Sequence, residues 1–316
     1  MDAGSGPRVL IYHAQCEAYV RLLSSRLSVR DVTGIRLDEE PLDTVDVLLT
    51  WTCPDGVLAR LTGLKWIQTT SAGMDNVLDF CRSQPQLVVT TTKGLQAEPV
   101  AGFVMLMILA LHWRLPAFLA YQRERRWMPE YSPAGISQST CAILGLGHIG
   151  QRVAGHAKHL GMSVLGMRRR AVPAANVDAV YPHERLHEML GLADFVVLAL
   201  PLTESTRAMF KTTEFKAMKR SAYLVNVARG GIVDQQALAD ALRAGDIAGA
   251  ALDVFHEEPL PAGHALWTAP NIIITPHLAG NRADYLDGAA AIFAHNLRVF
   301  PDRRRMRGLA DIGVGY

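Results

Sequence analysis

Cysteine is scarce in this chain. Only Cys16, Cys53, Cys81 and Cys141 occur in 316 residues, with no Cys-x-x-Cys pair and no metal-ligand spacing. That excludes a disulfide-stapled scaffold and a thiolate zinc site, and it predicts reduced thiols in a cytoplasmic protein. A long apolar run is also missing. The longest, Val100 to Leu111, falls short of the ~20 residues that a membrane-spanning helix needs. No basic patch, apolar core and cleavage site open the chain, so no signal peptide and no membrane partner are expected. Charge of one sign does not dominate either. A net charge of +2 favours no polyanion, and the single dense basic run, Arg303-Arg304-Arg305-Met306-Arg307, reads as a solvated face rather than a nucleic-acid arm. Repeats and low-complexity tracts are absent. With 49% hydrophobic and 20% charged residues, 316 residues suffice for two domains, each with its own core.

What is present is an α/β rhythm. Arg8–His13, Val45–Thr50, Lys65–Thr69 and Leu87–Thr91 are predicted strands, each apolar and followed by turn or helix formers. A helix predicted over Pro99–Leu119 is apolar all round, which marks burial on several sides. Arg123–Ser139, polar, aromatic and proline-punctuated, is expected to form a surface arm. A second series begins at Thr140, with strands at Cys141–Leu144, Ser163–Gly166, Phe195–Leu200, Ala222–Val227, Ala248–Val254 and Ile272–Thr275. Helices are expected at Ile149–Leu160, His183–Leu190, Asp234–Ala244 and Asp284–Val299, with Asp234 as an N-cap and Gly245 just past a helix end. Near-continuous apolar strands alternating with helices predict parallel sheets covered on both faces.

Within the second series, Gly145-Leu-Gly-His-Ile-Gly150 has the G-x-G-x-x-G spacing between an apolar strand and an amphipathic helix. Gly145 would permit the tight turn, Gly147 would let backbone approach a pyrophosphate, and Gly150 would let helix pack on strand. Helix N–H groups would then hold the phosphates of a dinucleotide. His148 in this turn fills the loop. An acid normally follows the next strand, roughly 20 positions on, to hold the ribose of NAD. Here there is none: the chain reads Arg168-Arg169-Arg170. Three cations suit the 2′-phosphate of NADP, so NADP(H) is expected ahead of NAD(H).

Three further residues each end a predicted strand: Arg229, Glu258 and His277. Strand ends facing a crevice are where open α/β sheets hold ligands. A guanidinium, a carboxylate and an imidazole gathered there suit polarising a carbonyl beside a carboxylate and protonating its oxygen, which with a dinucleotide means hydride transfer to a 2-keto acid.

Leu-Val-Asn-Val-Ala-Arg-Gly-Gly-Ile-Val-Asp, Ala-Leu-Asp-Val-Phe-His-Glu-Glu-Pro-Leu and Thr-Pro-His-Leu-Ala-Gly resemble the signatures of the D-isomer-specific 2-hydroxyacid dehydrogenases. Trp66-Ile-Gln-Thr-Thr-Ser-Ala-Gly-Met-Asp75 and Leu200-Pro-Leu-Thr203 extend the likeness over nearly the whole chain, and the arginine-rich loop is most similar to the glyoxylate/hydroxypyruvate reductase branch. The resemblance implies a flavodoxin-like substrate domain, residues 1–98 completed by 285–316, into which a doubly wound Rossmann domain, 99–284, is inserted. It implies His277 as proton donor, Glu258 as its partner and Arg229 as the anchor of the substrate carboxylate. Alignment on Glu-Pro-Leu alone selects Glu258 over Glu257. Backbone N–H groups of Ser71, Ala72 and Gly73 would hold the same carboxylate, Asp253 would meet the nicotinamide carboxamide, and Leu200, Pro201 and Thr203 would line the dinucleotide cleft. Further cofactor contacts are implied at His148, Ile149, Val227, Ala228, His277 and Gly280. Met74, where a β-branched residue is commoner, would alter the pocket. The resemblance and the apolar helix together imply a homodimer. Two other readings compete: a nucleotide-sensing protein like the co-repressors of the same family, and a zinc peptidase built on His183-Glu184-Arg185-Leu186-His187. The latter opens a short crossover helix and has no third ligand, so no metal is expected.

Overall fold

A computed structural model describes residues 7–25, 32–33, 41–169 and 172–315. The chain forms two compact units, Met1–Gln96 with Arg282–Tyr316, and Ala97–Asn281.

The first unit is built on a parallel sheet of β1 (Val9–Tyr12), β2 (Val32–Thr33), β3 (Val47–Thr50), β4 (Trp66–Thr69) and β5 (Val88–Thr90), in the order 2-1-3-4-5. That order is the flavodoxin-like one. Side chains alternate between two cores because a strand turns successive residues to opposite faces. Val9, Ile11, Val47, Leu49 and Trp66 pack with the helices Cys16–Ser24 and Tyr285–Val299, while Leu10, Leu48, Ile67 and Val89 face Leu58, Val77 and Cys81.

The second unit holds seven parallel strands: β6 (Thr140–Leu144), β7 (Ser163–Met167), β8 (Ala179–Tyr181), β9 (Phe195–Leu198), β10 (Tyr223–Asn226), β11 (Gly249–Leu252) and β12 (Ile272–Ile274). Their order, 12-11-10-9-6-7-8, is the doubly wound arrangement, reversing direction between β6 and β9. Cys141, Ile143, Val197 and Val225 face one core with the helices Ala97–His112 and His148–His159; Ala142, Leu144, Val196, Leu198 and Leu224 face the other. Burial on both faces explains why these strands read as unbroken apolar runs.

Several expectations need correction. The strands β2 and β8 escape the sequence reading because each is a short edge element of two or three residues. The helix expected over Pro99–Leu119 is two helices, Ala97–His112 and Leu115–Arg123, bent by 61° with Arg114 at a φ of +51°. Pro116 is the cause: it lacks an N–H and its ring would strike the carbonyl of His112. No single described helix is long and apolar enough to cross a membrane, although this bent pair is so by length and composition taken together. His183–Arg185 is a 3₁₀ turn preceding the helix Leu186–Leu192, so His183 and His187 do not share one α-helical face. Met74 is fully buried among Leu48, Ile67 and Val77, a core residue rather than a lining one.

Other details follow the sequence. Asp234 accepts the N–H of Ala237 at 3.0 Å, and Gly245 closes that helix at a φ of +69°. Burial pushes the thiols of Cys53, Cys81 and Cys141 up to about 12, which keeps them as unreactive thiols. Arg303, Arg304 and Arg305 are exposed, Arg303 donating to the carbonyl of Gln86 at 2.8 Å.

Candidate active site

The reversal of strand order opens the second unit's sheet at the carboxyl ends of β6 and β9, and the glycine turn sits there. Gly145 has a φ of +99°, and a Cβ on it would lie 2.5 Å from the carbonyl oxygen of Ala199, just past β9. A Cβ on Gly150 would lie 1.9 Å from the carbonyl oxygen of Gly145, so helix and strand pack backbone to backbone. Gly147 differs. A Cβ there would meet no protein atom within 4 Å, and it is the N-cap of the helix His148–His159. The space beside Gly147, in front of the helix N–H groups, fits a pyrophosphate. His148 is exposed and Ile149 half-buried at the same helix start. On the facing side, Thr206 Oγ1 donates to the carbonyl of Pro201 at 2.7 Å and accepts from the N–H of Thr203 at 2.8 Å, fixing the turn that carries Leu200, Pro201 and Thr203.

Past β7, Arg168 folds back on the chain. Its Nη2 donates to the carbonyls of Val172 and Pro173, at 2.5 and 2.9 Å, and its buried Nε has no partner among the described residues. A buried donor without an acceptor is costly, and an anion at this loop would satisfy it. Arg169 is exposed and has an interaction partner. Arg170 lies outside the described residues.

Three neighbouring strands, β10, β11 and β12, deliver Arg229, Glu258 and His277. His277 Nδ1 is 2.7 Å from Glu258 Oε2, while Glu258 Oε1 accepts the N–H of Phe255 at 2.8 Å. Both carboxylate oxygens of Glu258 are thus engaged, and it is Glu258, rather than the competing Glu257, that meets the imidazole. His277 adopts a φ of +52°, uncommon for a residue with a Cβ. Such backbone persists where its surroundings over-determine it. Here the brace is Asp253, only 2% exposed. Its Oδ1 accepts from Leu278 N at 2.9 Å and Thr275 Oγ1 at 2.7 Å, and its Oδ2 accepts from Ala279 N at 2.9 Å.

Arg229 stands three residues past β10, half-buried, with Nη1 donating to the carbonyl of Ala228 at 2.7 Å. The buried Asn226 holds this turn, its Oδ1 accepting from Ala228 N at 3.0 Å and its Nδ2 donating to the carbonyl of Arg229 at 3.2 Å. Gly230 draws the Arg229 and Glu258 loops together: a Cβ on it would lie 1.9 Å from the carbonyl carbon of Phe255. Val227 and Ala228 are buried beneath, and Gly280 follows the braced histidine turn. Asn226 and Thr275 receive no role from sequence, yet each is visible as a polar residue at the end of an apolar strand.

In the first unit, the turn after β4 shows a separate pattern. The carbonyl of Thr70 accepts from Tyr285, that of Ser71 from Thr92 N at 2.9 Å, and that of Gly73 from Ser71 Oγ at 2.6 Å. Among the described residues, the N–H groups of Ser71, Ala72 and Gly73 make no backbone bond. Carbonyls tied inward and amides left over are an arrangement that suits an anion. The zinc-like histidines differ again: His187 Nε2 pairs with Glu214 at 3.0 Å, and no three metal-ligating side chains converge among the described residues.

Residues 105–279 match the model of the D-isomer specific 2-hydroxyacid dehydrogenase NAD-binding domain. The chain belongs to this family. It is 34% identical to a glyoxylate reductase of Thermococcus gammatolerans, over 93% of this chain and 92% of that protein. A D-isomer specific 2-hydroxyacid dehydrogenase from Xanthobacter autotrophicus Py2, solved with NADPH and MES, is similar with a TM-score of 0.90 and 31% identity over 99% of this chain and all of that one. An NADPH-dependent glyoxylate/hydroxypyruvate reductase from Sinorhizobium meliloti, solved with NADP and sulfate, gives a TM-score of 0.88 at 25% identity, over 98% and 100%. This family member is therefore an NAD(P)-dependent oxidoreductase acting on a small keto or hydroxy acid, with a Rossmann-type domain joined to a flavodoxin-like one.

Proposed function

We propose that this dehydrogenase reduces glyoxylate or hydroxypyruvate to the D-2-hydroxy acid with NADPH. The observation that carries the reading is the 2.7 Å contact between His277 and Glu258 past the ends of adjoining strands, with Arg229 past the end of the next strand in the sheet. A reduced nicotinamide bound along the glycine turn supplies the hydride. With Nδ1 turned to Glu258, Nε2 of His277 is the nitrogen left to give a proton to the keto oxygen as it becomes a hydroxyl. Glu258 fixes the orientation of the ring through its contact with Nδ1. The Arg229 guanidinium pairs with the substrate carboxylate and polarises the keto oxygen, and in the first unit the turn of Ser71, Ala72 and Gly73 offers its N–H groups to a carboxylate. Asp253, beyond bracing the histidine turn, keeps acceptor capacity on Oδ2 for a carboxamide.

The preference for NADPH rests on Arg168 and its neighbours standing where an acid would serve NAD, and on the NADPH and NADP bound by the two similar structures. A panel of keto acids assayed with both cofactors tests substrate and cofactor together. Glyoxylate and hydroxypyruvate with NADPH should give the highest kcat/KM. Arg168→Asp should weaken NADPH by ~1.5–3 kcal/mol, the range for a charged hydrogen bond, and leave NADH little changed. Equal Michaelis constants for both cofactors before and after the substitution would remove the assignment.

We also assign a homodimer and a cytoplasmic setting. Leu106, Trp113, Leu115, Leu119 and Trp127, the last 90% exposed, crowd half of the exposed large apolar side chains among the described residues onto one stretch. Beside them an open cavity of about 500 Å³ is lined by Phe118, Tyr121 and Trp127 together with Gln122, Arg125 and Arg126. An apolar patch of this kind is normally covered, here by a second copy.

A further inference from the structure

Tyr285, at the first turn of the helix Tyr285–Val299, is the hub of a polar cluster in the first unit that no part of the mechanism above uses. Its hydroxyl donates to the carbonyl of Thr70, immediately before the Ser71–Gly73 turn. A phenol has one proton and can accept twice. Once that proton is given to Thr70, Thr92 Oγ1 at 2.9 Å must be a donor to the same oxygen, as is Gln96 Nε2 at 3.0 Å. Burial holds the Tyr285 hydroxyl above the ordinary phenol range, so it stays a neutral donor. Thr92 also contacts the turn directly, its N–H reaching the carbonyl of Ser71 at 2.9 Å. Thr70 and Thr92 are themselves buried. The cluster also ties the places where the chain leaves and re-enters this unit. Gln96 is the last residue before the second unit begins and Arg282 the first after it ends, and Arg282 Nη1 donates to the carbonyl of Leu95 at 3.0 Å.

The geometry points to Tyr285 as the positioning residue of the carboxylate-binding turn: by holding the carbonyl of Thr70 inward, it keeps the N–H groups of Ser71, Ala72 and Gly73 aimed at the substrate carboxylate. This rests on the reading of that turn given above. Without the phenol hydroxyl, the peptide between Thr70 and Ser71 is free to rotate, and its N–H rotates with it. The effect falls on keto-acid binding, because the hydroxyl touches neither the reacting atoms nor the dinucleotide turn.

Tyr285→Phe tests it in steady-state assays with hydroxypyruvate and NADPH. The expected result is a roughly five- to tenfold rise in the keto-acid KM, the loss of about one hydrogen bond, with kcat within about twofold and the NADPH KM unchanged. Thr92→Val, which removes one donor to the phenol oxygen, should raise the same KM by about two- to threefold and serves if the tyrosine variant does not fold. Hydrogen exchange on the wild-type protein tests the turn independently: oxamate, a non-reducible 2-keto acid analogue, added with NADPH should slow exchange at residues 71–73. Slowed exchange with an unchanged keto-acid KM in both variants would overturn the role of Tyr285 alone. Parallel shifts in kcat and both Michaelis constants would reduce the tyrosine to a general structural part. Exchange indifferent to oxamate would remove the turn's role, and the inference with it.

Discussion

Replacing His277 by Ala is expected to lower kcat with glyoxylate by ~10²–10⁴-fold, the usual worth of a positioned proton donor. The NADPH dissociation constant should change little. The magnitude follows from how completely the imidazole is prepared. Its Nδ1 is 2.7 Å from a carboxylate whose other oxygen is fixed by Phe255 N, and its backbone is held at a positive φ by bonds from the next two N–H groups to Asp253. An orientation built from this many contacts leaves one ring nitrogen for chemistry. Steady-state turnover of the variant checks it, alongside a cofactor fluorescence titration. Turnover within about tenfold of wild type would mean that the proton comes from elsewhere.

Arg229→Lys should be nearly as damaging despite keeping the charge: kcat/KM for the keto acid is expected to fall by ~10²-fold. A guanidinium offers a planar fork that can engage a carboxylate and still present a donor to the adjacent keto oxygen, whereas an ammonium is a point charge on a flexible stem. The Arg229 turn is also narrow. Gly230 meets the Phe255 backbone too closely for any Cβ, and Asn226 grips the peptides on both sides. A lysine cannot compensate by shifting the loop. Full activity in the lysine variant would mean that charge alone suffices and that the fork has no part.

The sequence and the structure agree most where one physical rule dominates. Strands buried on both faces must be apolar throughout, so β6, β9, β10 and β11 are legible as runs. The glycine turn is legible because close backbone approach admits no other residue at Gly145 and Gly150. Edge strands obey no such rule, which is why Val32–Thr33 and Ala179–Tyr181 escape notice. The break at Arg114 is written in Pro116, but a continuous apolar face outweighs it in the pattern. Met74 falls in the pocket by its place in a motif, whereas its side chain points into the core. Bracing groups are the least legible part of the site. Asp253, Asn226 and Tyr285 act through bonds to backbone atoms 2 to 215 positions away, and residue spacing does not encode those.

Directed hydride delivery to a 2-keto carbon at the His277–Glu258 pair is the central proposal. Chiral analysis of the product formed from hydroxypyruvate and NADPH measures this most directly. One D-glycerate should appear for each NADPH oxidised, with no L isomer. Absence of NADPH oxidation, or a product of mixed or opposite configuration, would contradict the account.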